Sequence, residues 1–209
     1  MFELVLGSHN QKKLNELQAL FEPTLVNVVS LAEIPAAIEV AETGDTFEAN
    51  ARLKAVEQAV HLGRWVLAED SGLSVDALSG RPGVYSARYS GQHATDESNN
   101  RKLLEELEGV PADRRTAFYT CQICLANPAG KVVLETAGIC RGVIIEKPRG
   151  DHGFGYDPLF LLPEYHRTFA ELGPATKRAI SHRARAMRQF LDLFRSLMQN
   201  SPSDYLTNH

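Results

Sequence analysis

Residues 2–21, FELVLGSHNQKKLNELQALF, decide the fold. The apolar run at 2–6 stops at Gly7, and Leu14, Leu17, Leu20 and Phe21 then recur at helical spacing. This is a strand, a polar turn and an amphipathic helix: one β-turn-α unit. Further along, residues 25–31 predict a second strand and 35–42 a connecting loop. Asp45 is a candidate N-cap, with Glu48 three residues on closing a capping box, for a helix that runs to Leu62 and stops at Gly63. The continuously apolar WVLA at 65–68 reads as a buried strand that delivers Glu69-Asp70-Ser71-Gly72 at its end. Residues 74–78 are expected to pair nearby, before a turn at Gly80-Arg81-Pro82-Gly83.

Thr95 can cap a helix through Leu107. Two long strands, 116–126 and 131–146, are joined by the hairpin signal Asn127-Pro128-Ala129-Gly130. Residues 150–163, rich in Gly, Pro and aromatics, predict a structured loop. A last helix carries Ile180, Ala184, Met187, Leu191, Phe194 and Met198 on one stripe. Helices interleaved with apolar strands predict an α/β fold, a mixed twisted sheet with flanking helices. The expected layout is a single domain over residues 1–200 and a frayed tail at 201–209.

Composition narrows the class. The 209 residues carry 22 Lys+Arg and 26 Asp+Glu, a formal net charge of −4, with 44% hydrophobic residues. That is ordinary globular composition, and it argues against disorder and against bulk nucleic-acid or anionic-membrane binding. No run of eighteen apolar residues exists to span a bilayer, and the first ten residues lack the pattern of a secretion signal. A cytoplasmic protein is expected. Cys121 and Cys124 form a C-x-x-C inside an aromatic, β-branched stretch. On a strand, positions three apart point to opposite faces, so a reduced core strand explains the pair better than a shared metal.

Several segments could carry chemistry. The turn from Ser8 to Lys13 enters a helix N-terminus, where backbone N–H groups favour an anion and Lys12 and Lys13 add charge; a plain helix cap leaves the same pattern. Carboxylates at 69 and 70 on a buried strand are costly unless a cation compensates them, and hard oxygen ligands of this kind suit Mg²⁺ together with substrate phosphates. A solvated strand end is the alternative. Asn50 and Lys54 share a helix face, as polar groups beside an apolar stripe often do. Gly153-Phe154-Gly155-Tyr156-Asp157-Pro158 pairs flat aromatics with glycines, which suits a base-stacking pocket or a packing turn. Lys177, His182 and Arg183 gather at the entry to the last helix.

Taken in order, these segments resemble the inosine triphosphate pyrophosphatase family. The matching stretches are Ser8-His9-Asn10-Gln11-Lys12-Lys13, Glu42-Thr43-Gly44-Asp45-Thr46-Phe47 with Asn50-Ala51 and Lys54-Ala55, and Ala68-Glu69-Asp70-Ser71-Gly72-Leu73. They continue with Gly80 to Tyr89, Gly153 to Pro158, and Ser181-His182-Arg183. The resemblance implies two lobes around a deep cleft, a homodimer, and Mg²⁺-dependent hydrolysis of ITP, dITP and XTP to the monophosphate and pyrophosphate. It implies that Asp70 is the general base and that Glu42 and Asp70 hold the metal. Ser8, His9, Asn10, Gln11, Lys12, Lys13, Lys54 and Ser71 would then bind the triphosphate. Phe154, Gly155, Tyr156, Asp157, Lys177, His182 and Arg183 would bind base and sugar. Glu69 departs from the paired aspartates of many bacterial members and stays outside the metal set. The competing class is a non-catalytic nucleotide- or RNA-binding module using the basic C-terminal helix.

Overall fold

In a computed structural model that describes residues 2–8, 10–21 and 26–200, the opening segment folds as one β-turn-α unit. Strand β1 (Phe2–Leu6) leads to helix α1 (Gln11–Gln18), whose first turn is capped by Asn10. His9, the start of the expected second strand at Leu25, and the tail at 201–209 lie outside the described residues. The other strands are β2 (Val26–Ser30), β3 (Val66–Val75), β4 (Thr116–Ala126), β5 (Val132–Ile144), β6 (Phe160–Leu162) and β7 (Arg167–Thr168). They form one seven-stranded sheet in the order β2-β1-β3-β4-β5-β6-β7. It is parallel from β2 through β1 to β3, with Val5 opposite Val66, and antiparallel from β5 through β6 to β7. The sheet is therefore mixed and the class is α/β.

Helices α2 (Phe47–Leu62), α3 (Asp96–Glu106), α4 (Phe169–Ile180) and α5 (His182–Asn200) complete the fold. Three expectations need correction. The cap of α2 is Thr46, whose hydroxyl accepts from the backbone N–H of Ala49 at 3.1 Å, so the Asp45 and Glu48 box does not form. Strand β3 does not stop at Ala68: it runs unbroken to Val75, which places Glu69 and Asp70 mid-strand. Ten consecutive strand residues, nearly all buried, need no polar terminus, and the two carboxylates are held by lysines instead. The third correction concerns the loop expected over 150–163 and the stripe of the last helix: Phe160–Leu162 is strand β6, and Ile180 ends α4 rather than belonging to α5. Helix α4 is kinked at Gly173 (φ 75°), which Pro174 follows.

Backbone packing divides the chain into two compact units. The first comprises Met1–Asp70, Gln122–Gly138 and Arg185–His209, and the second Ser71–Cys121 and Ile139–Ala184. In the first unit Val5, Val66 and Ala68 pack with Ala51, Ala55 and Ala59 of α2 and with Cys124 and Ala126. In the second, Leu73, Val75, Tyr119, Phe160 and Phe169 join Leu103 and Leu107 from α3 and its end. Each unit thus buries its own apolar cluster. Cys121, Cys124 and Cys140 are buried thiols outside any disulfide, and burial pushes the Cys124 thiol up to about 12.

Candidate active site

The alternation of β3 builds the first group of side chains. Val66 and Ala68 face α2, and Asp70, two residues further along the same face, meets Lys54 from that helix. Lys54 Nζ donates to Asp70 Oδ1 at 2.8 Å and to Glu42 Oε1 at 2.8 Å. Asn50, four residues before Lys54 and fully buried, donates from Nδ2 to Asp70 Oδ2 at 3.3 Å. Its Oδ1 accepts the Gly44 N–H at 2.8 Å. Asn50 therefore ties the loop that carries Glu42 to the carboxylate of Asp70. A Cβ on Gly44 would stand 2.7 Å from Ala49 Cβ and 2.8 Å from Asn50 Oδ1, so this approach needs glycine.

Burial disfavours the Asp70 carboxylate and leaves its pKa above the ordinary aspartate value, against the pull of Lys54 and Lys13. Burial also disfavours the Lys54 ammonium, but Asp70 and Glu42 outweigh it and the lysine stays charged, with its pKa raised. Glu69 points to the other face of β3. Its side chain is 1% exposed, and its Oε1 lies 3.4 Å from Lys13 Nζ. Glu42 and Asp70, two hard carboxylate donors converging on one cationic point, form a set that would fit a Mg²⁺ completed by substrate phosphates.

The turn before α1 is spent largely on itself. Asn10 Oδ1 accepts from the N–H groups of Lys12 and Lys13 at 3.1 and 3.2 Å, and Ser8 Oγ accepts from Asn10 N–H at 3.2 Å. Gln11 donates to Asn15 along the helix at 2.8 Å. Of the residues expected in this turn, Lys13 reaches a strand carboxylate, that of Glu69, while Ser8, Asn10 and Gln11 make local bonds.

The second unit gathers a different set. Lys177 Nζ donates to Asp157 Oδ2 at 2.6 Å and stands 4.4 Å from the centre of the Phe154 ring. The same Oδ2 accepts the Phe154 N–H at 2.9 Å. Gly153 (φ 80°) makes this closure possible, because a Cβ there would strike Asp157 Oδ2. Asn100 of α3 donates to the Gly155 carbonyl at 2.9 Å, and the Tyr156 hydroxyl donates to the Ser86 carbonyl at 2.8 Å. The His182 ring stacks on Tyr119 with centroids 4.7 Å apart and 9° between planes. Arg183, 2% exposed, donates from Nη2 to Ser71 Oγ at 2.9 Å.

The sequence sets Asn50 on a helix face with Lys54 but gives it no role in the site, and Tyr119 and Asn100 are not among its candidates. Asn50 had a usable signal, its four-residue offset from Lys54; Tyr119 and Asn100 become visible only through tertiary packing. The buried pair in the second unit gives a direct stability test. Asp157→Ala deprives the Lys177 ammonium, 6% exposed, of this carboxylate and leaves the Phe154 N–H without its acceptor. A loss of about 3–5 kcal/mol is expected by urea denaturation, and Asp157→Asn, which keeps an acceptor oxygen, should lose less. A cost below about 1 kcal/mol for the alanine variant would show that the pair is not a buried ion pair in solution.

The model of the Ham1 family matches residues 4–193. A dITP/XTP pyrophosphatase of Rhodopirellula baltica is 58% identical over 204 residues, covering 97% of this chain and 98% of the relative. A dITP/XTP pyrophosphatase of Desulforamulus reducens is 49% identical, covering 93% of this chain and 96% of its own. The solved structure of a HAM1 protein from Coxiella burnetii superposes with a TM-score of 0.87 at 41% identity, over 94% of this chain and 100% of that one.

Proposed function

The chain belongs to the Ham1 family, and from that premise we propose that it is a Mg²⁺-dependent enzyme that cuts dITP, ITP and XTP into the monophosphate and pyrophosphate and so clears non-standard purines from the nucleotide pool. Its relatives make it a nucleoside triphosphate diphosphatase, a hydrolase of acid anhydrides. The observation that carries the finer reading is the convergence of Glu42 and Asp70 on the Lys54 ammonium, with Asn50 fixing both carboxylate-bearing segments. This is a charge arrangement suited to phosphoryl chemistry, where positioning and charge neutralisation do most of the work.

In this reading Asp70 takes the proton of a water that attacks the α-phosphorus. The new P–O bond forms as the bond to the bridging oxygen breaks, and pyrophosphate leaves. A Mg²⁺ on Glu42 and Asp70, when bound, would supply neutralising charge at the phosphate oxygens. Lys54 and Lys13 turn from their carboxylates toward the phosphates, with Ser71 and the turn of Ser8, His9, Asn10, Gln11 and Lys12 completing the cradle. Phe154, Gly155, Tyr156, Asp157, Lys177, His182 and Arg183 hold base and sugar. Lys177 is suited to that task because Asp157 holds its ammonium against the Phe154 ring.

The test is product analysis with dITP. Equimolar dIMP and pyrophosphate are expected with Mg²⁺, and no turnover in excess EDTA. Release of orthophosphate with dIDP would move the cut to the outer anhydride and overturn the reading. Full activity in EDTA would remove the metal from it.

A further inference from the structure

The Glu42 and Asp70 pair has a counter-charge within the chain itself. One ammonium serves both carboxylates at 2.8 Å, with the Lys54 side chain 15% exposed and that of Asp70 7%. We infer that Lys54 is the resident counter-ion of this carboxylate pair and holds it closed to a bare divalent cation, so that metal binds with nucleotide phosphates rather than ahead of them. The inference rests on the proposed metal role of Glu42 and Asp70.

Three features support it. Lys54 is not the sole anchor of these segments: Asn50 holds Asp70 by its second oxygen and holds the backbone of the Glu42 loop by the Gly44 N–H. Removing the lysine charge therefore leaves Asp70 held in place and the Glu42 loop beside it, two carboxylates without their shared ammonium and so a better cation site than before. A divalent ion approaching the intact pair meets a positive charge within hydrogen-bond distance of both of its ligands, and Mg²⁺ in particular gives up its water reluctantly for only two carboxylates. Triphosphate changes both conditions at once. Its oxygens offer Lys54 a new partner, and they bring further hard ligands for the cation. Lys54 is thus a positioning residue that exchanges carboxylates for phosphate as the nucleotide arrives, and the exchange couples metal binding to substrate binding.

The experiment is a titration of Mn²⁺ into the metal-stripped full-length chain without nucleotide, with free Mn²⁺ followed by electron paramagnetic resonance. Lys54→Met and Lys54→Gln are each expected to bind Mn²⁺ at least tenfold more tightly than the parent, and the added change Glu42→Gln should erase that gain. Measurable and equal affinity in the parent and both lysine variants overturns the counter-ion role alone. No binding by any of them overturns the metal pair as well, which separates the two failures. Should the lysine variants be unfolded without metal, refolding by Mn²⁺ alone supports the inference, because a ligand of the folded state stabilises it by mass action; failure of Mn²⁺ to refold them overturns it.

Discussion

Asp70→Asn is expected to leave a folded protein whose turnover of dITP falls at least 10³-fold, a rise in barrier of about 4 kcal/mol. The change is nearly isosteric, and Glu42 and Asn50 stay in place around it. Folding should survive because the amide can still accept from Asn50 or from Lys54, and the latter keeps Glu42 as its partner. What is lost is specific to the reaction. An amide cannot take a proton from water, and general-base catalysis alone contributes about 10²–10⁴-fold. The negative charge that would hold Mg²⁺ beside the α-phosphate goes as well. Steady-state release of pyrophosphate, measured beside circular dichroism and nucleotide affinity, separates the chemistry from folding and binding. Turnover within about tenfold of the parent would remove Asp70 from the role of base.

How far the sequence could be read depended on whether a residue's partner lay nearby in the chain or across the fold. The β-turn-α unit at residues 2–21 was legible because its apolar positions follow the periods of strand and helix, and the 127–130 hairpin because turn residues mark it. The mixed sheet was legible for the same reason. The full length of β3 was not. Glu69-Asp70-Ser71-Gly72 carries the polar and glycine composition of a strand end, and partners distant in sequence, Lys13, Asn50, Lys54 and Arg183, make it compatible with a buried strand. The kinked α4 was hidden by Gly173-Pro174, and the short β6 and β7 by their length.

The candidate site divides along the same line. Lys54, Glu42 and Asp70 could be named from their motif, and Lys177 with Asp157 likewise, yet their pairing is a tertiary fact. Asn50 illustrates the gap. A helical Asn beside an apolar stripe reads as solvated, while in the fold it is fully buried and bonded at both ends of its amide. The turn before α1 shows the converse: two N–H groups of the turn read as an anion cradle, those of Lys12 and Lys13, bond the cap residue Asn10.

Discrimination among purines is the second large effect. Values of kcat/KM for dITP and XTP are expected to exceed that for ATP by up to roughly 10⁴-fold, the scale on which a site built to donate hydrogen bonds rejects an analogue that cannot accept them. The donors proposed for the base are Lys177, His182 and Arg183. Each is nearly buried, at 6%, 4% and 2% exposure, so none can turn to water when a substrate fails to pair with it. A keto oxygen at purine position 6 accepts from such groups; the amino group of adenine presents hydrogens to them and leaves them unsatisfied. Rigidity strengthens the effect. His182 is stacked on Tyr119, Lys177 is anchored by Asp157 against Phe154, and Arg183 is tied to Ser71, so the donors cannot rearrange cheaply around the wrong base. GTP shares the 6-keto oxygen, and its exclusion needs a second feature that leaves no acceptor for its 2-amino group. The check is kcat/KM for dITP, XTP, GTP and ATP at one Mg²⁺ concentration, in the parent and in His182→Ala. Comparable values for dITP and ATP would end the 6-keto reading. High GTP activity would end only the second feature, and a His182→Ala variant that loses dITP activity without narrowing the gap to ATP would take the histidine out of base selection.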